Sequence, residues 1–257
     1  YVWEFFDDYF GPGRMPLPKR LAARAARPYL RRWDVKTADR VDVYVANSHN
    51  VRRRIERHYG RTAEVIHPPV NAGGFSVSAE VEDYYLVVSA FAPYKRIDIA
   101  VEAFRRLGRP LKIVGSGQDE GRLLASSAPN VEFLGRREND ELRKLYSKCR
   151  AFIFPGEEDF GITPLEAQAS GRPVIAYGKG GALETVKGVF PGDSPEGLCT
   201  GVFFREQTAE ALIEAVEYFE RRNPISEPGA LRDHALAFDR PIFKEKLREF
   251  IEKTVNK

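Results

Sequence analysis

The sequence contains few of the residues that build cross-linked or metal-dependent proteins. Its 257 residues include two cysteines, Cys149 and Cys199, which are too few for a disulfide framework or a cysteine-based zinc site. The four histidines are scattered without an H-E-x-x-H pattern, and no D-x-D sequence occurs. No apolar run approaches the ~20 residues of a membrane-spanning helix, and no signal peptide is visible. We therefore expect no metal site and a reducing, cytoplasmic setting.

The overall charge is nearly balanced. The formal net charge is +3, with 43% hydrophobic and 30% charged residues, an ordinary composition with ample material for a core. Such a balance favours no nucleic-acid partner, and the length suits one large domain or one domain with a smaller piece.

From residue 84 onward, short apolar runs alternate with amphipathic segments. The runs are rich in Val, Ile, Phe and Tyr and too short for helices, so they predict strands: 84–90, 111–115, 131–135, 151–155, 173–177 and 201–205. Helical patterns occupy 97–107, 139–148 and 209–222. This order predicts an α/β fold with a doubly wound parallel sheet, in which ligands bind beyond the carboxyl ends of the strands.

The flanking segments have a different organisation. Residues 15–40 indicate a helix interrupted near Pro28, 41–48 a strand, 49–60 a helix and 63–70 a second strand. Two strands do not make an α/β domain. We therefore divide the chain into a remnant of another domain (1–70), a linker (71–83), the complete domain (84–240) and a final helix (241–257).

The stretch "EEDFGITPLEAQASGRPVIAYGKGG" (157–181) places two carboxylates eight residues apart, after a predicted strand and around a helix start. One interpretation is structural: Thr163 is an N-cap, Pro164 follows, and Glu166 completes a capping box, while Glu158 is a hydrated loop acid. The other is functional. Gly161 and the helix start can approach a phosphate, and flanking carboxylates can accept hydroxyl hydrogens, as a nucleotide sugar would require.

The segment Glu158-Asp-Phe160-Gly161-Ile-Thr-Pro-Leu-Glu166 resembles the E-x-F-G-x-x-x-x-E motif of retaining family 4 glycosyltransferases, which have the GT-B fold. Further similar segments occur in the family's order, at 38–71, 88–104, 112–123, 130–135 and 178–186. The sequence "PYKRID" is similar to mannosyltransferases of surface-polysaccharide synthesis. The resemblance implies one complete GT-B domain, the tail of the other, and a final helix (241–257) that returns to the N-terminal part.

The resemblance also implies residue roles. Glu158 corresponds to the glutamate that contacts donor-sugar hydroxyls, and Glu166 to the one that holds the ribose. Phe160, Gly161, Ile162 and Thr163 correspond to the segment beside the sugar and diphosphate.

Lys95 corresponds to the lysine on the donor diphosphate, so Lys95 and Glu158 are the candidate catalytic residues. For Arg96, next to it, we expect a side chain in water. Ala90 stands where the family usually has an arginine, so one phosphate contact is absent or supplied elsewhere.

Gly115 and Gly117 follow the second strand of the domain. They are candidates for the wall of the donor pocket, or for a plain strand-to-helix turn. Their spacing with Gly121 does not give G-x-G-x-x-G, and they do not follow the first strand, which argues against a NAD-binding oxidoreductase.

Segment 14–40 carries nine basic residues against Asp34 and Asp39, with four large apolar side chains. A solvated helical face explains this composition. A sharper hypothesis is peripheral contact with an anionic membrane carrying a lipid-linked acceptor.

Together these features predict the donor-binding half of a retaining hexosyltransferase. It would transfer mannose from GDP-mannose, or a hexose from another nucleoside-diphosphate sugar, to a glycan or lipid-linked acceptor without a metal. The alternative is a non-catalytic nucleotide-sugar-binding module.

Because residues 1–70 supply about two strands, and the chain begins at Tyr1 rather than Met, we expect part of the acceptor domain to be missing. The 257-residue chain should therefore bind a nucleoside diphosphate but transfer no sugar. A radiolabel transfer assay tests this expectation, and transfer above a no-enzyme control would contradict it.

Overall fold

The structure is a computed structural model that describes residues 4–255. These residues form two compact units, of which the first ends at Val65 and the second begins at Ile66. The predicted boundaries at 70, 83 and 240 stay a prediction, as does the return of the final helix to the N-terminal part.

The first unit is a small two-stranded parallel sheet with three helices. Its elements are α1 (Phe6–Phe10), α2 (Leu17–Thr37), β1 (Tyr44–Ala46), α3 (His49–Tyr59) and β2 (Ala63–Val65). The Ser48 hydroxyl accepts a hydrogen bond from the backbone N–H of Val51 and thereby caps α3. Helix α2 continues through Pro28, so the predicted interruption there is wrong. Strong helix formers such as Ala, Leu and Arg surround this proline and favour continuation despite its lost N–H.

Helix α2 has no buried residue. Its large apolar side chains at Leu21, Tyr29 and Trp33 are more than half exposed, and basic residues lie among them. The predicted membrane contact of this segment stays a prediction. Within residues 4–255, no helix combines the length and hydropathy needed to cross a bilayer.

The second unit contains seven strands. They are β3 (Tyr85–Val88), β4 (Leu111–Val114), β5 (Val131–Gly135), β6 (Phe152–Phe154), β7 (Val174–Tyr177), β8 (Gly188–Val189) and β9 (Gly201–Phe204). The helices are α4 (Ile97–Leu107), α5 (Glu120–Ala125), α6 (Asn139–Lys148), α7 (Ile162–Ala169), α8 (Ala182–Thr185), α9 (Ala209–Arg222), α10 (Pro228–Leu236) and α11 (Arg240–Val255). The predicted parallel α/β architecture is therefore confirmed. The patterns did not indicate β8 or α10, which are short or weakly amphipathic.

All seven strands are parallel, in the order β5-β4-β3-β6-β7-β9-β8. Apart from the two-residue edge strand β8, this is the 3-2-1-4-5-6 order of a doubly wound sheet. The chain reverses direction across the sheet between β3 and β6. The connections that follow these two strands therefore run in opposite directions, and in doubly wound sheets ligands bind beyond the carboxyl ends of the strands at such a reversal point.

Each face of the sheet carries its own apolar core. Tyr85 and Val87 of β3 pack toward α4 and α9, whereas Leu86 packs on the opposite face with α7 and α10. Because helices cover both faces, the central strands are apolar at consecutive positions rather than alternating.

A buried arginine ties the segment before β3 to the rest of the unit. The Arg172 guanidinium is 5% exposed. It donates hydrogen bonds to the carbonyl oxygens of Ser78, Glu80 and Ser147 at 2.7, 2.9 and 2.8 Å. Burial lowers the pKa of this guanidinium. One side chain therefore links the segment before β3 to the end of α6.

We expect Arg172→Met to lower the free energy of unfolding of the second unit by ~2–4 kcal/mol, because hydrogen bonds from a charged donor to three part-buried carbonyl groups are lost. Calorimetry is the suitable measurement, since residues 66–257 contain no tryptophan whose fluorescence could report on this unit. Arg222→Met, at an exposed position of α9, is the control and should change stability by less than ~0.5 kcal/mol. Equal effects of the two substitutions would contradict this role of Arg172.

Candidate donor-binding site

The two candidate catalytic side chains meet at the reversal point of the sheet. Lys95 lies in the loop after β3 and Glu158 in the loop after β6. The Lys95 Nζ atom is 2.5 Å from Glu158 Oε2, and the two side chains are 15% and 19% exposed. A cation and a carboxylate 63 residues apart in the sequence thus form one polar centre. Such a centre can present a positive charge to a phosphate and an acceptor oxygen to a hydroxyl.

The backbone around Lys95 is unusually constrained. Residues Pro93–Lys95 form a 3-10 turn, and Arg96 then adopts a left-handed conformation with φ 52° at the start of α4. That conformation is unfavourable for a residue with a Cβ by ~1–2 kcal/mol. The Arg96 guanidinium binds the Asp98 carboxylate at 3.2 and 3.3 Å. The side chain is about a third exposed and is held by Asp98, rather than lying in water as expected.

Gly156 allows the loops after β3 and β6 to approach each other. A Cβ at this position would lie 3.0 Å from the Lys95 Cα atom and 3.1 Å from its carbonyl oxygen. A larger residue would therefore require the backbone around Lys95 to shift by a few tenths of an ångström. Sequence reasoning did not single out Gly156, although a glycine directly after a strand and a proline is a recognisable loop signal.

Helix α7 starts differently from the sequence prediction. It begins at Ile162, its N-cap is Gly161 with φ 101°, and no side chain caps it. The predicted capping box of Thr163 and Glu166 is therefore wrong. Gly161 alone among common residues adopts this backbone conformation at little cost, and it sets the helix start earlier than Thr163 would.

The Glu166 carboxylate points to a different partner. Its Oε2 accepts a hydrogen bond of 2.9 Å from the hydroxyl of Tyr146 on α6. Burial raises the pKa of Glu166, and the Tyr146 hydrogen bond opposes that rise. The structure thus keeps this carboxylate away from the local backbone and in a half-buried position.

Phe160 is a packing residue in this loop. Its side chain is 3% exposed, and its ring stacks on His67 with 5.3 Å between ring centroids. His67 Nε2 in turn lies 3.3 Å from Glu184 Oε2. By contrast Ile162 is 43% exposed and Thr163 is half-buried. Of the predicted segment, Phe160 holds the loop in place, while Ile162 and Thr163 are accessible at the helix start.

Gly115 and Gly117 pack against the loop after β3. Gly115 has φ 139°, and a Cβ there would lie 1.8 Å from the Ser89 carbonyl oxygen. A Cβ at Gly117 would lie 2.7 Å from the Phe91 carbonyl oxygen. Both glycines therefore shape the loop that leads to Lys95. Ala90, which replaces the family arginine, is exposed in that loop.

A second glycine turn supports the Glu158 loop from behind. The Gly181 N–H donates to the Glu158 carbonyl oxygen at 2.8 Å, and a Cβ at Gly181 would overlap Phe160. Lys179 Nζ lies 3.1 Å from Glu157 Oε2. The glycine-rich segment 178–181 thus fixes the backbone that carries Glu158.

The sequence model of the family described as "Glycosyl transferases group 1" matches residues 75–232, which is more than half of the chain. This chain belongs to that family. Membership of this family agrees with the strand order of the second unit and with the contact between the loops after β3 and β6. The resemblance seen in the sequence is confirmed.

Two similar proteins are named as mannosyltransferases. The chain is 34% identical over 140 residues to the O-antigen chain mannosyltransferase RfbU of Salmonella typhimurium, covering 50% of this chain and 40% of that one. It is 39% identical over 114 residues to a GDP-mannose-dependent monoacylated alpha-(1-6)-phosphatidylinositol monomannoside mannosyltransferase of Corynebacterium glutamicum, covering 38% and 30%. Alignments with the first three curated relatives span 36–53% of their lengths.

The crystal structure of Anabaena Alr3699/HepE in complex with UDP-glucose has the same fold. Its TM-score is 0.73 at 19% identity, and the match covers 87% of this chain and 67% of that one. The predicted GT-B type of fold is therefore confirmed.

The raised pKa of Glu166 gives a stability prediction with a definite sign. A carboxyl group whose pKa is higher in the folded state contributes stability below its unfolded pKa, and this contribution is lost as pH rises through the folded pKa. Glu166→Gln, a neutral isostere, should therefore have a higher Tm than the wild type at about pH 8 and an equal Tm near pH 4.

Scanning calorimetry across this pH range is the measurement. Glu214→Gln, at an exposed position of α9, is the control and should show no such trend. A Glu166→Gln variant that is less stable than the wild type at about pH 8 would refute the idea that ionisation of this carboxyl group destabilises the fold.

Proposed function

We propose that the second unit binds a nucleoside-diphosphate sugar in the crevice between the loops after β3 and β6, as the donor-binding half of a retaining glycosyltransferase. The observation that carries the proposal is the Lys95–Glu158 pair at 2.5 Å. It places a cation and a hydroxyl acceptor side by side where the strand order favours a ligand site.

Each group then has a chemical task. The Lys95 ammonium group faces the diphosphate, where negative charge grows as the sugar departs, and stabilises the leaving group. The start of α7 offers backbone N–H groups to the same phosphates. Glu158 orients the sugar through its hydroxyls, and Glu166 accepts hydrogen bonds from the ribose.

The reaction breaks the bond between the anomeric carbon and the diphosphate oxygen, which keeps the electron pair. A new bond forms between that carbon and an acceptor oxygen, whose proton passes to the departing phosphate. No side chain of this chain is assigned as a general base. Positioning and charge stabilisation supply the rate enhancement.

The donor is GDP-mannose and the acceptor a glycan or lipid-linked glycan. Both mannosyltransferase relatives named above support mannose, and the Corynebacterium relative supports GDP as the nucleotide.

The exposed Ala90 favours, as a second candidate, a module that binds the nucleotide sugar without transfer. Both candidates require donor binding, so binding is measured first.

We expect Lys95→Ala to weaken GDP binding by about tenfold or more, since a charged hydrogen bond contributes ~1.5–3 kcal/mol. Glu158→Ala should leave GDP affinity nearly unchanged but remove any gain in affinity from GDP-mannose over GDP. Calorimetric titration with GDP, UDP, ADP, NAD and GDP-mannose measures both effects.

Lys144→Ala, at an exposed position of α6, is the matched control and should bind GDP like the wild type. Equal GDP affinity in the Lys95→Ala and Lys144→Ala variants would refute the phosphate role. Preferential binding of NAD would refute the proposed function as a whole.

A further inference from the structure

Tyr146 donates a hydrogen bond to Glu166, and the geometry of this pair suits more than structural support. The Tyr146 side chain is fully buried, and its Oη lies 2.9 Å from Glu166 Oε2. Burial raises the pKa of the phenol well above its usual value, and the nearby carboxylate adds to the rise. The phenol therefore keeps its proton and acts as the donor.

The tyrosine ring is itself held in place. Phe75 contacts it edge-on at 5.6 Å between centroids, and Phe152 packs on it at 5.5 Å. Two aromatic neighbours from the segment before β3 and from β6 thus fix the direction of the hydroxyl. A hydrogen bond from so rigid a donor restricts the carboxylate to one orientation.

The hydrogen bond from Tyr146 leaves the other carboxylate oxygen of Glu166 available to a ligand. Across residues 4–255, no group other than the Tyr146 hydroxyl donates to the Glu166 carboxylate. A carboxylate has about four acceptor sites on two oxygens. With Oε2 bound to Tyr146, Oε1 retains its acceptor sites, and its direction is set by the tyrosine.

We propose that Tyr146 is a positioning residue that aims Glu166 at the ribose hydroxyls of the nucleotide donor. The inference rests on the proposed function, because Glu166 must first face a ribose. It adds to that site a residue that contributes to nucleotide specificity. A buried phenol on α6, which does not touch the ligand, determines how strongly the enzyme distinguishes a ribonucleotide from its deoxy analogue.

The test compares GDP with 2′-deoxy-GDP and 3′-deoxy-GDP by calorimetric titration of the full chain. The wild type should prefer GDP over at least one analogue by about tenfold, as expected for a hydrogen bond to a charged group. Tyr146→Phe should weaken GDP binding by a similar factor, leave the affinity for that analogue nearly unchanged, and so abolish the preference.

Tyr85→Phe is the matched control. Tyr85 is also fully buried, and its hydroxyl donates to Glu220 Oε1 at the same 2.9 Å, but this pair lies on the α9 face of the sheet. Removing either hydroxyl lowers stability, whereas only the Tyr146 substitution should change the ribose preference.

The outcomes separate this inference from the proposed function. Absence of GDP binding by the wild type would overturn both. A wild type that binds GDP without preference over either analogue would overturn the inference while leaving phosphate binding intact. A preference that Tyr146→Phe retains would also overturn it.

Should Tyr146→Phe fail to fold, Phe75→Leu is a second test. This substitution removes the aromatic contact with the Tyr146 ring and retains the Tyr146 hydroxyl. Its ribose preference should fall between that of the wild type and none. An undiminished preference would overturn the inference.

Discussion

The close approach of the loops after β3 and β6 is the constraint on which the candidate site depends. Gly156 packs against the Lys95 backbone, and the Lys95 ammonium lies 2.5 Å from the Glu158 carboxylate. The strand order brings these loops together, since β3 and β6 are neighbouring strands whose connections run in opposite directions. Local sequence alone provides neither the contact nor the pairing of charges.

The surrounding elements hold the two loops in contact. Gly115 and Gly117 support the loop that leads to Lys95, while Gly181 and Phe160 support the loop that carries Glu158. Most glycines of the candidate site therefore allow backbone segments to touch one another. Glycine-rich segments beside a binding crevice need not face the ligand, and a pattern of glycines cannot distinguish the two uses.

Glu166 illustrates how a candidate site residue can conflict with stability. Burial raises the pKa of its carboxyl group, so ionisation opposes folding at neutral pH. A carboxylate retained under such conditions is consistent with a binding role. The hydroxyl of Tyr146 offsets part of this cost by donating a hydrogen bond to the carboxylate.

The sequence by itself determined the α/β class, the six main strands and the family, because apolar runs of strand length and a motif of fixed spacing are local properties. It also placed Lys95 and Glu158 in loops at strand ends. Only the tertiary structure decided that the two charges touch, that Glu166 pairs with Tyr146 rather than its own helix start, and that Pro28 lies within a continuous helix. The first two outcomes depend on contacts between residues distant in sequence, and the third on a balance of local preferences that the flanking helix formers settle.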